Sequence, residues 1–178
     1  GHFGLYNKLR NHNFLWDIIQ LISKENPRFN SDLKLLFAGE VYDDFLNNLQ
    51  LYGLDTKLIY HTYLDHRKSI NKMMECDLLL VTQGETKSVL GRLPAKIFEY
   101  LGAKRPILAI GQKNSDLEKL LEPISYAWFV DFDNKKLLYR TILKIYSSRI
   151  FNYHFSDDIS GFSRENQASD VINLINDL

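Results

Sequence analysis

The 178-residue sequence predicts a single doubly wound, Rossmann-like α/β domain, with a parallel sheet covered by helices on both faces. Three observations carry that prediction. Short apolar runs of strand length alternate with helical patterns of ten or more residues along most of the chain. The run "DLLLVT" (77–82) is apolar almost without interruption, as a strand buried on both faces requires. The length suffices for one domain with a sizeable core, and no repeat with a period of roughly 20–50 residues competes with this reading.

The chain opens on turn-like "GHFGLYNKLRN" and runs into a helix, so the first strand is expected to be lost or to lie immediately before Gly1. The stretch "NFLWDIIQLISKEN" (13–26) places Phe14, Ile18, Leu21 and Ile22 at helical spacing. A strand follows in "DLKLLFAGE" (32–40), then a helix over 42–54 with Gly53 as its stop. "TKLIYHTYL" (56–64) reads as a strand, and "DHRKSINKMMEC" (65–76) as a helix with Ile70, Met73 and Met74 inward. After the strand 77–82 come a helix at 94–102 and a strand at 106–110. The helix at 115–124 begins with Ser115 and Glu118 at capping-box spacing. A strand at 127–132 and a helix at 134–150 complete the alternation. A terminal helix within 164–178 carries Ala168, Val171, Ile172, Ile175 and Leu178 on one apolar stripe.

Bulk composition narrows the function classes. Lys plus Arg number 22, as do Asp plus Glu, so no global charge attracts nucleic acid or anionic lipid. The single cysteine, Cys76, excludes an internal disulfide framework and reads as a buried core thiol. No apolar stretch is long enough to span a bilayer. The five histidines show no metal-ligand spacing, and neither G-x-S-x-G, G-x-x-x-x-G-K-[ST] nor G-x-G-x-x-G occurs. The "DFD" at 131–133 ends a strand before a helix, which reads as capping by Asp133 rather than metal binding.

Ligands of doubly wound sheets bind at the carboxyl ends of the strands. The longest loop there is "TQGETKSVLGRLP" (82–94), which leads into the Pro94 helix. Proline suits the first helical turn, and the free N–H groups beside it favour an anion. Gly84 and Gly91 let backbone approach a ligand closely. Glu99, among Ile97, Phe98 and Leu101, is open to two readings: a surface partner of Lys96, or a carboxylate accepting two hydroxyl protons from a sugar ring. His2, Lys8 and Arg10, with two glycines, make the first loop suitable for phosphate contact.

The segments "LKLLFAGE", "HTYLDHRKSINKMMECDLLLV", "LPAKIFEYLGAKRPILAIG" and "AWFVDFDN", in that order, resemble the C-terminal donor-binding domain of GT-B-fold retaining glycosyltransferases, the group 1 family. The resemblance covers nearly the whole chain, and "LPAKIFEYLGAKRPILAI" is its most specific piece. It implies that residues 1–178 are one nucleotide-sugar-binding domain, the C-terminal half of a GT-B fold. The N-terminal acceptor domain would be absent, in keeping with a start that has no initiator Met and no signal pattern. By this resemblance Glu99 holds the nucleotide ribose, while Leu93, Pro94, Ala95 and Lys96 meet the diphosphate. Lys8 and Arg10 fall near the family's basic pair, and Tyr63 and Leu64 near the base. The family's other glutamate, eight positions before Glu99, is replaced here by Gly91, so the catalytic residue is unassigned. Either the donor sugar is handled differently or Glu85 loops back.

The implied chemistry is metal-independent, retaining hexosyl transfer from a nucleoside diphosphate sugar to a glycan or lipid-linked acceptor, with no cofactor. A cytoplasmic location, compatible with peripheral association at the inner membrane face, goes with it, and this fragment alone is expected to be inactive. The alternatives are a GT-B-like nucleotide-sugar epimerase and a non-catalytic flavodoxin-like regulatory module.

Overall fold

The computed structural model describes residues 1–132, 134–148 and 157–176. The apolar runs form six short strands: β1 (His2–Phe3), β2 (Leu35–Ala38), β3 (Leu58–His61), β4 (Leu79–Thr82), β5 (Ile107–Gly111) and β6 (Ala127–Asp131). All pairings are parallel, in two three-stranded sheets ordered β1-β2-β3 and β4-β5-β6. The sheets meet along β1 and β4. There the Leu80 N–H donates to the Gly1 carbonyl at 2.8 Å, and the Gly1 nitrogen donates to the Leu78 carbonyl at 2.6 Å. Across this seam the strands run 3-2-1-4-5-6, the doubly wound order, which reverses direction between β1 and β4.

The first strand therefore lies within the chain and not before it. His2 and Phe3 pair in register with Phe37 and Ala38, and the Gly4 N–H donates to the Ala38 carbonyl at 2.5 Å. Two residues flanked by glycines carry too little pattern to be read as a strand in isolation; their partners lie about 35 residues away.

Among the described residues eight α-helices cover the sheets: α1 (Asn13–Glu25), α2 (Pro27–Asp32), α3 (Phe45–Leu51), α4 (His66–Glu75), α5 (Lys96–Ala103), α6 (Asp116–Leu121), α7 (Lys135–Ser147) and α8 (Arg164–Asn176). One core contains Trp16, Ile22, Phe37, Phe45, Leu138 and Ile142; the other contains Phe3, Met73, Ile97, Tyr100 and Leu117. Strand β5 feeds both, with Leu108 and Ile110 on one face and Ile107 and Ala109 on the other.

Caps follow the sequence closely. Ser115 accepts the Glu118 N–H at 3.3 Å, while the Glu118 carboxylate reaches back to the Asn114 N–H at 2.5 Å. Gly53 ends α3 at φ +65°, a conformation favouring glycine. At α7 the cap is Asn134, accepting the Leu137 N–H at 3.1 Å; Asp133 lies outside the described residues.

Several inward assignments change. On α1 Phe14, Ile18 and Ile22 are buried as expected, together with Leu15, Trp16 and Ile19, but Leu21 is exposed. On α4 Met73 is buried and the next residue, Met74, is exposed. Cys76 is half-buried, its Sγ against the Lys72 carbonyl at 3.2 Å. Along α8, Ala168, Ile172 and Ile175 are exposed, and Leu178 lies outside the described residues. Helix α2 and a 3-10 turn at Lys8–Arg10 were not foreseen.

Candidate functional site at the sheet seam

The strand order reverses between β1 and β4, the switch point at which doubly wound sheets form their ligand crevice outside the carboxyl ends of the strands. Two glycines shape its floor. Gly4, after β1, has φ +91°, and Gly39, after β2, has φ +121°. A Cβ on Gly39 would lie 2.6 Å from the Gly4 α-carbon, so the two main chains approach as only glycines allow. On Gly4 itself, a Cβ would overlap the Lys96 ammonium group. The first residue of α5 thus lays its side chain across the glycine that ends β1.

Lys96 is half-buried, and burial lowers its pKa; the Glu99 carboxylate opposes that shift and the Arg10 guanidinium adds to it. Lys96, Arg10 and Glu99 therefore share one electrostatic neighbourhood. Arg10 is anchored by donating from Nη1 to the Leu5 carbonyl at 2.7 Å. Glu99 is half-buried with no hydrogen bond or close ion pair among the described residues, and it acts on Lys96 through the electrostatic field alone. Two cations of which one is partly desolvated, beside an uncommitted carboxylate, suit an anion flanked by hydroxyl groups.

The start of α5 differs in detail from its prediction. Pro94 precedes the N-cap, Ala95, and the Ile97 N–H donates to the Pro94 carbonyl at 2.9 Å. No side chain caps this helix start, which leaves its positive end open. Leu93 is half-buried against the core below. Gly91 is exposed, and a Cβ there would stand 3.8 Å from the Asp116 carboxylate at the start of α6.

Beneath the floor, buried His2 meets the Leu80 carbonyl through Nδ1 at 3.1 Å, and burial pushes its pKa down to about 3. Phe3 donates its N–H to the Tyr100 hydroxyl at 2.9 Å, tying β1 to α5.

The remaining predicted residues lie further out. Lys8 is exposed on the 3-10 turn that also holds Arg10. Tyr63 projects into solvent after β3, while Leu64 packs against the core. Glu85 does loop back, but onto His12: His12 Nδ1 stands 3.3 Å from Glu85 Oε1. His12 and Gln83 were not singled out from sequence, and neither sits in a motif that would have marked it. Gly4 was visible only as one of two glycines in a terminal loop.

A cavity of about 500 Å³ lies elsewhere. Lys34, Leu35, Asp77 and Leu78 line it, at the amino ends of β2 and β4, remote from the loops that carry the charged groups. Crevice chemistry identifies the site here better than cavity size. Among the described residues no cluster of three or more His, Cys, Asp or Glu could hold a metal, and no helix is long and apolar enough to cross a membrane.

No protein-family model matches the sequence, and no curated protein matches it. Solved structures do match. The C-terminal domain of a glycosyl transferase group 1 family protein, LpcC from Francisella tularensis, superposes with a TM-score of 0.55 at 13% identity, covering 82% of this chain and 75% of that one. The chain has the fold of a GT-B C-terminal domain. This GT-B half-domain also matches S. aureus TarM, solved with UDP, at a TM-score of 0.66 and 15% identity, over 98% of this chain and 35% of TarM. Methanocaldococcus jannaschii UDP-GlcNAc 2-epimerase, solved with UDP-GlcNAc and UDP, matches at 0.53 and 12%, over 98% of this chain and 45% of the epimerase. The half-domain thus spans less than half the length of these two enzymes.

Proposed function

We propose that this half-domain binds the nucleoside diphosphate sugar donor of a glycosyltransferase. The observation that carries the reading is the Lys96 ammonium lying over Gly4 at the sheet seam, with Arg10 and Glu99 in the same field. In this reading the diphosphate sits between Lys96, Arg10 and the open start of α5 formed by Leu93, Pro94 and Ala95. Glu99, three residues on from Lys96, accepts the ribose hydroxyl protons. Lys8 lies at the crevice mouth, and Tyr63 and Leu64 form the wall towards the base.

The reaction is metal-independent transfer of a hexosyl group with retention, in which cations and helix dipole stabilise the charge growing on the leaving diphosphate. A glycan or lipid-linked acceptor would be bound by a preceding domain, so residues 1–178 alone bind donor without turning it over. The function belongs to the cytoplasm, with peripheral contact at the membrane where the acceptor is lipid-linked.

The test is thermal shift with UDP, GDP and ADP on the wild type and Glu99→Ala. One nucleotide is expected to raise the melting temperature, with the rise lost in the variant. If none does so, the donor reading fails. A nucleotide-sugar epimerase is the second reading, favoured by the match to the UDP-GlcNAc 2-epimerase fold. Incubation of the full-length enzyme with UDP-GlcNAc alone separates the two, since only an epimerase changes the sugar without an acceptor.

A further inference from the structure

The two loops that flank the seam crevice are joined by a contact that the donor reading does not use. His12, at the N-cap of α1, is 4% exposed. Its Nε2 lies 2.7 Å from the Gln83 carbonyl and its Nδ1 3.3 Å from the Glu85 carboxylate. Phe14 and Phe132 pack beside the ring at centroid distances of 5.6 and 5.1 Å. The carbonyl can only accept, so Nε2 donates to Gln83, and Nδ1 then faces the Glu85 carboxylate at ion-pair distance. Between these two contacts, a Cβ on Gly84 would lie 3.1 Å from the Leu9 Cβ and 3.3 Å from its carbonyl oxygen. Residues 83–85 are therefore pressed onto residues 9–12 at three successive positions.

We propose that His12 and Glu85 form an ion-pair latch that holds the β4–α5 loop against the β1–α1 loop and so fixes the width of the crevice. His12 is a positioning residue in this scheme. Its ring is fixed by burial and by the Gln83 carbonyl, while the Glu85 side chain is 58% exposed and free to leave. The consequence for ligand affinity rests on the donor-binding reading; the latch itself does not.

The experiment uses the whole 178-residue chain, ¹⁵N-labelled, as wild type and Glu85→Gln, a change at an exposed side chain that keeps the fold. In E85Q amide exchange over 84–91 is expected to rise at least fivefold over the wild type, while strand amides and melting temperature stay unchanged. UDP dissociation constants are expected to rise three- to tenfold in the same variant. Equal loop exchange in both proteins would overturn the latch. Absence of UDP, GDP and ADP binding by the wild type would instead overturn the donor reading, with the amide data still deciding the latch.

Discussion

Replacing Gly4 by alanine tests the site and the fold together. Gly4 has φ +91°, where an L-residue costs about 1–2 kcal/mol. For a chain of this size that corresponds to a melting temperature lower by roughly 2–8 °C. The new methyl group would also occupy the space of the Lys96 ammonium, but this is the far end of a flexible side chain. Lys96 moves aside at little cost in stability, and the cation leaves the seam. The expected result is thus a modest loss of stability with a disproportionate loss of nucleotide affinity, close to that of Lys96→Ala. Circular dichroism melts and calorimetric titration with the nucleotide that binds best measure the two effects. If Gly4→Ala binds that nucleotide as the wild type does, Lys96 over Gly4 is not the diphosphate seat.

Gly39→Ala should behave differently, because its Cβ would meet the Gly4 α-carbon, carbonyl carbon and oxygen at 2.6–2.8 Å, and main chain yields less readily than a lysine tip. A loss of about 2–5 kcal/mol in urea unfolding is expected, from strain at φ +121° plus overpacking. A loss no greater than that of Gly4→Ala would contradict the close approach. Acid stability should depend on His2, whose pKa falls from 6.5 to about 3 on folding, chiefly through burial. The unfolded state takes up the proton first, so its contribution is complete above pH 6.5 and is lost as pH falls towards 3, at up to about 1.4 kcal/mol per pH unit. Unfolding free energies at pH 7 and pH 4.5 should converge in His2→Phe relative to wild type, and an unchanged slope would place the acid sensitivity elsewhere.

Most of the architecture was legible because it rests on local pattern. Alternating apolar runs, the Ser115–Glu118 box and the Gly53 stop act within a few residues, and each appears where its spacing put it. The exact faces of α1 and α4 were less legible. A helix rich in apolar residues has several plausible stripes, and which one is buried depends on the sheet beneath it. Leu21 and Met74 lost that competition to Ile19 and Met73.

The candidate site was half legible. The motif around "LPAKIFEYLG" marked Lys96 and Glu99 as residues to watch, and the structure brings Lys96, Glu99 and Arg10 into one field. The sequence determined by itself most of the segments that become strands and helices, β1 and α2 excepted, and which residues at strand ends carry charge. Only the tertiary structure decided that β1 and β4 form the seam, that Lys96 lies over Gly4, and that Glu85 turns to His12 instead of Gly91. Those contacts join residues about 70 to 90 positions apart, and no local propensity encodes them. They follow from two sheets packing side by side, which sets the loops of the two halves facing one another.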